Sequence, residues 1–254
     1  MRDAFVRHES EEAGRVAISG SWVCATSVDR EVRGEMFALL ERCFEGVTPE
    51  VFDQDLAGKD GVVLVREESH LAGFSTFTVR AEVDPRGREV SVLCSGDTIV
   101  DPRHWGSSAL GKTLLGAALD LHRASGRHAL WWFLITSGPR TWGVLPTFFR
   151  EFHPHPSGRE DLDLSGWIRR LGERRWPGRM DARGIVRLDS PQRLRPPLDA
   201  LPAARRGDPG VAWYEAANPG WRAGDEIPSL VRVDSDNLTR AGRRYLGDRF
   251  ESGA

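Results

Sequence analysis

Two features of this sequence have residue types and spacing suited to chemistry: a lone acid in an apolar run, and the glycine-punctuated turn that comes after it. The run Val90–Val100 is apolar apart from Ser91, Ser95, Gly96, Asp97 and Thr98. A carboxyl such as Asp97, set in a strand beside Gly96, would have its pKa raised by burial toward the range of a proton acceptor at neutral pH. Its competing role is a carboxylate satisfied by backbone donors or an arginine. Beyond Asp101-Pro102, apolar residues recur at helical spacing from about Ser107: Leu110, Leu114, Leu115, Ala118 and Leu119. Strand, glycine turn and helix together suit an anion, because a helix start leaves backbone N–H groups unsatisfied and carries a partial positive charge. Gly106, Ser107, Ser108 and Ala109 are small enough for a diphosphate to approach the backbone.

The turn has two readings. Gly106 to Thr113 spells GSSALGKT, the P-loop pattern, with Lys112 for terminal phosphates and Thr113 for magnesium. Against it, five residues separate the strand from the glycine. The next strand candidate, Ala129–Thr136, also ends without the acid that would hold the metal. The other reading takes in the strand as well. Thr98-Ile99-Val100-Asp101-Pro102-Arg103-His104-Trp105-Gly106 resembles the strand, proline and pyrophosphate loop (Q/R-x-x-G-x-G/A) of the GNAT acyltransferase superfamily, with Arg103 and Gly106 fitting and Ser108 at the last position.

The order of elements extends the resemblance. A strand is expected over Arg15–Ala25, a helix over Asp29–Phe44, and a short helix opened by Thr48-Pro49. Three strands should come next, over Gly61–Arg66, Leu71–Val83 and Glu89–Val100, then the loop and its helix. Ala129–Thr136 reads as a strand covered on both faces, and a helix from Pro139 should carry Trp142, Leu145, Phe148, Phe149 and Phe152. This is the GNAT order over Arg15–Phe152. The expected fold is therefore α/β of the α+β kind, a GNAT-like mixed and mostly antiparallel sheet flanked by helices, with a C-terminal elaboration. Residues 1–157 would form the core. Residues 158–254 would complete the sheet with strands at Gly184–Leu188 and Ser229–Val233, add helices near Gly166–Glu173, Val211–Ala217 and Leu238–Leu246, and cover the acceptor side.

The resemblance implies an acyltransferase that moves an acyl group from acetyl-CoA, a longer acyl-CoA or an acyl carrier protein to an amine of a small molecule or peptide. It implies donor contacts from Ile99, Val100, Asp101, Arg103, Trp105, Gly106, Ser107, Ser108, Ala109, Gly111 and Lys112. A backbone N–H near Val100 or Asp101 would polarise the thioester carbonyl. The family's usual tyrosine on the helix after the fifth strand is absent here, where Thr141 and Trp142 stand; Tyr214 and Tyr245 lie far along the chain. Trp131, Trp132, Phe133, Phe148, Phe149 and Phe152 are either plain core or the lining of an acyl tunnel. A P-loop nucleotide enzyme and a non-catalytic GNAT-like binding domain are the alternatives.

Composition bounds the rest. The chain has 254 residues, 40% hydrophobic and 28% charged, with a formal net charge of −2, which gives no support for a nucleic-acid partner. Only Lys59 and Lys112 are lysine, so Arg fills nearly every cationic position, and Lys59 has no evident purpose. Cys24, Cys43 and Cys94 are odd in number and sit in apolar runs, so free thiols and a reducing cytoplasm are expected. No apolar stretch suggests export or a membrane span. His153 and His155 lack a third partner for a metal, and Met1–Ala13 is expected to fray.

Overall fold

The computed structural model describes residues 18–201, 205 and 207–251. The polar start Met1–Ala13 and the first residues of the expected opening strand lie outside the described residues. Local signals set most elements. Strand β1 (Ile18–Cys24) leads into α1 (Arg30–Cys43), whose first turn is capped by the Asp29 carboxylate accepting from the Val32 N–H at 2.8 Å. After the two-residue strand β2 (Phe44–Glu45), Thr48 caps α2 (Pro49–Ala57) with proline at its first position. The meander β3 (Gly61–Glu67), β4 (His70–Val83) and β5 (Glu89–Val100) comes next, then α3 (Ala109–Ser125) and β6 (Leu130–Thr136).

The expected aromatic helix is broken. The chain forms α4 (Pro139–Trp142) and α5 (Val144–Phe148) and then turns extended at Phe149, which bridges Leu238. Phe149 and Phe152 therefore reach the core from extended backbone and not from a helix face. Next comes α6 (Leu162–Arg175), longer than its Gly166–Glu173 signal because Asp161 caps it. It is followed by the two-residue β7 (Arg193–Leu194), α7 (Pro209–Ala217), β8 (Ile227–Arg232) and α8 (Arg240–Glu251). Gly184–Leu188 is not a strand. Val186 makes only isolated bridges, to Met180 and Glu226, so one late strand joins the main sheet where two were expected.

The six-stranded sheet runs β1-β3-β4-β5-β6-β8 and is antiparallel except for β5 and β6, while β2 and β7 make a separate ribbon. Alternation along β3 shows both faces covered. Val63 and Val65 pack with Leu114, Leu115 and Leu119 of α3, whereas Val62 and Leu64 pack with Met36, Leu39 and Phe52 of α1 and α2. Farther along, Trp167, Ile168 and Leu171 of α6 cover Val90, Val92, Phe133 and Leu230. Each such buried side chain contributes about 1.5–3 kcal/mol. β6 is sandwiched as its apolar run predicts, Trp132 and Leu134 facing the α3 side and Phe133 the α6 side. Among the described residues no helix is long and apolar enough to cross a membrane.

Two irregularities open the sheet at its centre. β5 and β6 pair only over Ser91–Cys94 against Leu130–Phe133, although β5 continues to Val100 and β6 to Thr136. Between Ser95 and Thr98 of β5, Gly96 and Asp97 together stand opposite Thr76 of β4. That is a β-bulge, which bends its strand and re-aims its side chains. It begins two residues past the last β5–β6 pair, so β5 stays with β4 while the two parallel strands fork apart.

Candidate active site

The fork opens into a cavity of about 860 Å³. One wall is β5 from Cys94 to Val100, the other is β6 from Trp132 to Ile135, and the start of α3 with the turn before it closes one end. The segment before β8 and the stretch around β7 form a further wall, through Glu226, Gln192 and Leu198.

Of the residues expected to contact a donor, Ile99, Val100, Trp105, Gly106, Ser107, Ser108 and Gly111 line this cavity, as does Asp97; Asp101, Arg103, Ala109 and Lys112 do not. The departures have plain causes. Asp101 is buried and accepts from the Arg103 backbone N–H at 3.0 Å and from its guanidinium at 3.1 Å, which holds Arg103 outward and keeps the Asp101 carboxyl below its usual range. Lys112 is exposed, its Nζ 5.5 Å from the centre of the Tyr245 ring. A cation that does reach the cavity beside the turn is Arg140 of α4, stacked 3.5 Å over the Trp105 ring, whose own Nε1 donates to the Val100 carbonyl at 2.9 Å; Lys59 and Arg175 line it elsewhere. Burial, with Arg205 nearby, lowers the Arg140 pKa. No sequence signal pointed to it, because α4 meets the turn only across the fork.

The helix start carries no acid. Ser108 makes no side-chain capping bond, Gly106 has φ +106°, and the Ala109 N–H donates to the Ser107 hydroxyl at 3.3 Å. The next residues, Leu110 and Gly111, stand at the cavity wall with no capping anion in the first turn. The P-loop geometry is not realised. A Cβ at Gly20 of β1 would lie 2.2 Å from the Thr113 hydroxyl, so Thr113 faces the sheet rather than the turn where a magnesium ion would sit. Gly111 serves a different contact. A Cβ there would lie 2.3 Å from the Tyr245 hydroxyl, which donates to the Ser108 carbonyl at 2.8 Å while its ring stacks on Phe148 at 4.3 Å. Tyr245→Phe is expected to lose about 1 kcal/mol of stability and Gly111→Ala more, since it displaces the whole ring; urea unfolding of both variants measures this.

The backbone donor can be located by alternation. The Asp101 N–H is taken by the Ala72 carbonyl at 2.8 Å. In an antiparallel ladder the neighbouring residue then directs its N–H and C=O to the other side. The Val100 N–H therefore faces the fork, as its carbonyl does toward Trp105.

Asp97 and Glu226 both line the cavity, and both are half-buried. Burial and then the Asp55 carboxylate push Asp97 up to about 6, against the pull of Lys59, Gln192 and Arg175. Lys59 is the lysine that lacked a purpose in the sequence. Its side chain is 3% exposed and its Nζ lies 2.8 Å from Asp55, beside Gly96. Burial and the Asp97 charge push Glu226 up to about 8. Glu226 carries no signal of its own, since it precedes a strand contributed from more than a hundred residues downstream. Tyr214 is fully buried, donating to the Thr136 carbonyl, and does not line the cavity. Of the aromatic group, Trp132, Phe133 and Phe148 reach the cavity. Trp131 packs edge-on to Trp167, and Phe149 and Phe152 pack against Trp132 and Trp142.

No protein-family model matches this sequence, and no curated protein is significantly similar to it. Among solved structures, the chain is similar to a probable N-acyltransferase from Enterococcus faecalis V583, at 15% identity over 52% of this chain and 33% of that one, with a TM-score of 0.38. It therefore spans about a third of that protein. A GCN5-related N-acetyltransferase from Kribbella flavida matches 87% of this chain and 67% of its own at 9% identity and TM-score 0.36. A GNAT family acetyltransferase from Brucella melitensis in complex with acetyl-CoA matches 44% of this chain and 74% of its own at 16% identity and TM-score 0.32. Likeness at these levels is loose and fixes no chemistry.

Proposed function

We propose that this chain is a GNAT-like N-acyltransferase that takes an acyl group from acetyl-CoA or a longer acyl-CoA, or from an acyl carrier protein, and passes it to an amine of a small molecule or peptide. The observation that carries the reading is the fork. Two parallel strands part beside a helix start that carries no acid, and an acid at the bulge lines the gap they leave. A pantetheine arm is a narrow, amide-bearing chain, and strand edges freed of their partners offer it backbone hydrogen bonds. The diphosphate would sit at the N–H groups opening α3, with Arg140 supplying charge. The Val100 N–H would polarise the thioester carbonyl, and Asp97 would accept the amine's proton. Residues after 158 would cover the acceptor side through Gln192 and Leu198.

Titration calorimetry with acetyl-CoA, a long-chain acyl-CoA and Mg-ATP tests this directly, followed by an amine screen that detects thiol release. Binding of a CoA ester and not of ATP is the expected result. ATP binding alone would return the turn to the P-loop reading despite the orientation of Thr113. A CoA ester that binds but is never transferred to any amine would favour a non-catalytic binding domain.

A further inference from the structure

The proposed reaction leaves one step without a residue: the departing thiolate needs a proton, the helix after β6 carries no tyrosine, and Tyr245, which also lines the cavity, already donates its hydroxyl to the Ser108 carbonyl. Glu226 meets the requirements by position. Ile227 pairs with Thr136, three residues past the last β5–β6 pair at Phe133, and Glu226 is the next residue outward. Asp97 lies three residues past the same point on the other arm, at Cys94. Asp97 thus stands roughly 10 Å and Glu226 roughly 13 Å along the strands beyond the fork point, one on each arm. The Glu226 backbone is fixed by its two hydrogen bonds to Val186, at 2.9 and 3.0 Å, so its carboxyl is held at the cavity wall. Among the described residues no donor or cation holds that carboxyl. A half-buried carboxyl kept for structure would have one.

We propose that Glu226 is the acid that protonates the leaving thiolate, and that it regains its proton from Asp97 across the gap. This rests on the acyltransfer reading above. The amine nitrogen attacks the thioester carbonyl carbon, and the C–N bond forms as the C–S bond breaks. Asp97 takes a proton from nitrogen, Glu226 gives one to sulfur, and transfer from protonated Asp97 to the Glu226 carboxylate restores both. No other reactant is needed. The proton state suits each role, since burial and mutual repulsion leave Glu226 the weaker acid of the two. The charged and titratable groups around the pair are Asp55, Lys59 and Arg175 on the Asp97 side, and Tyr214 on the Glu226 side. Neighbouring Asp225 is engaged by Arg187.

The test compares wild-type, Glu226→Gln and Asp97→Asn proteins on acetyl-CoA and on S-(4-nitrophenyl) thioacetate, whose thiolate leaves without protonation, with an acceptor from the amine screen. Glu226→Gln is expected to lower kcat/KM about 100-fold with acetyl-CoA and to leave the nitrophenyl thioester within about threefold, whereas Asp97→Asn loses activity with both. Equal losses in Glu226→Gln on the two donors would overturn the assignment while leaving acyl transfer intact. Wild type that neither binds nor transfers from acetyl-CoA would instead overturn the reading it rests on. A second measurement needs no turnover. In carboxyl-labelled protein, the carbon-13 signal that Glu226→Gln removes should titrate near pH 8 and shift downward in Asp97→Asn. A midpoint near 4.5 would overturn the proposal.

Discussion

An Asp97→Asn protein is expected to bind acetyl-CoA as tightly as wild type and to transfer the acyl group 100- to 10,000-fold more slowly, the range a general base contributes. The bulge gives the reason. Gly96 and Asp97 occupy the space of one ladder position opposite Thr76, so the Asp97 side chain is turned into the cavity rather than following the alternation of β5. Asparagine keeps the volume and leaves the Lys59–Asp55 pair untouched, so binding should survive and only proton acceptance is lost. With the carboxyl held near 6, wild-type kcat/KM should fall about tenfold per unit below that pH as the base protonates. Rates from pH 5 to 9, with calorimetry of donor binding on both proteins, check this; a variant keeping more than a third of wild-type kcat would remove Asp97 as the base.

The elements were legible wherever their cause is local. Asp29, Thr48 and the turns at Glu68 and Pro85 act within a few residues, and α1, α2 and the meander fall where those signals place them. The opening of α3 was legible too, because small residues and apolar periodicity are read along the chain. What decides the site is set by chain reversal. Phe149 leaves the helix to bridge Leu238, Arg140 meets Trp105 across the fork, and Glu226 arrives with β8, each through a partner distant in sequence. Gly111 shows the same limit from the other direction. Within the turn it suits a phosphate, yet its missing side chain makes room for Tyr245, contributed more than a hundred residues later. Gly96 inside a strand was the one local sign of the bulge, and its meaning depended on knowing that β6 pairs with β5 only as far as Cys94.

Glu226→Gln is expected to be more stable than wild type at pH 9, by about 1–2 kcal/mol, and close to it at pH 4. The folded protein holds the Glu226 proton up to about pH 8, whereas the unfolded chain releases it near the ordinary value of 4.5. Between those limits the native state binds more protons than the unfolded state, so stability falls as pH rises. The loss is absent below 4.5, grows through neutrality and is complete above 8. Glutamine ionises at no pH and carries none of it. Each pKa unit corresponds to about 1.4 kcal/mol, which sets a ceiling that solvent reaching the half-buried group through the cavity lowers. Urea unfolding at pH 4, 7 and 9 measures the difference, and a variant destabilised at pH 9 would mean the carboxylate has a stabilising partner. Asp97→Asn should recover part of the same energy by removing the charge that repels Glu226, so the double variant should gain less than the two single gains together.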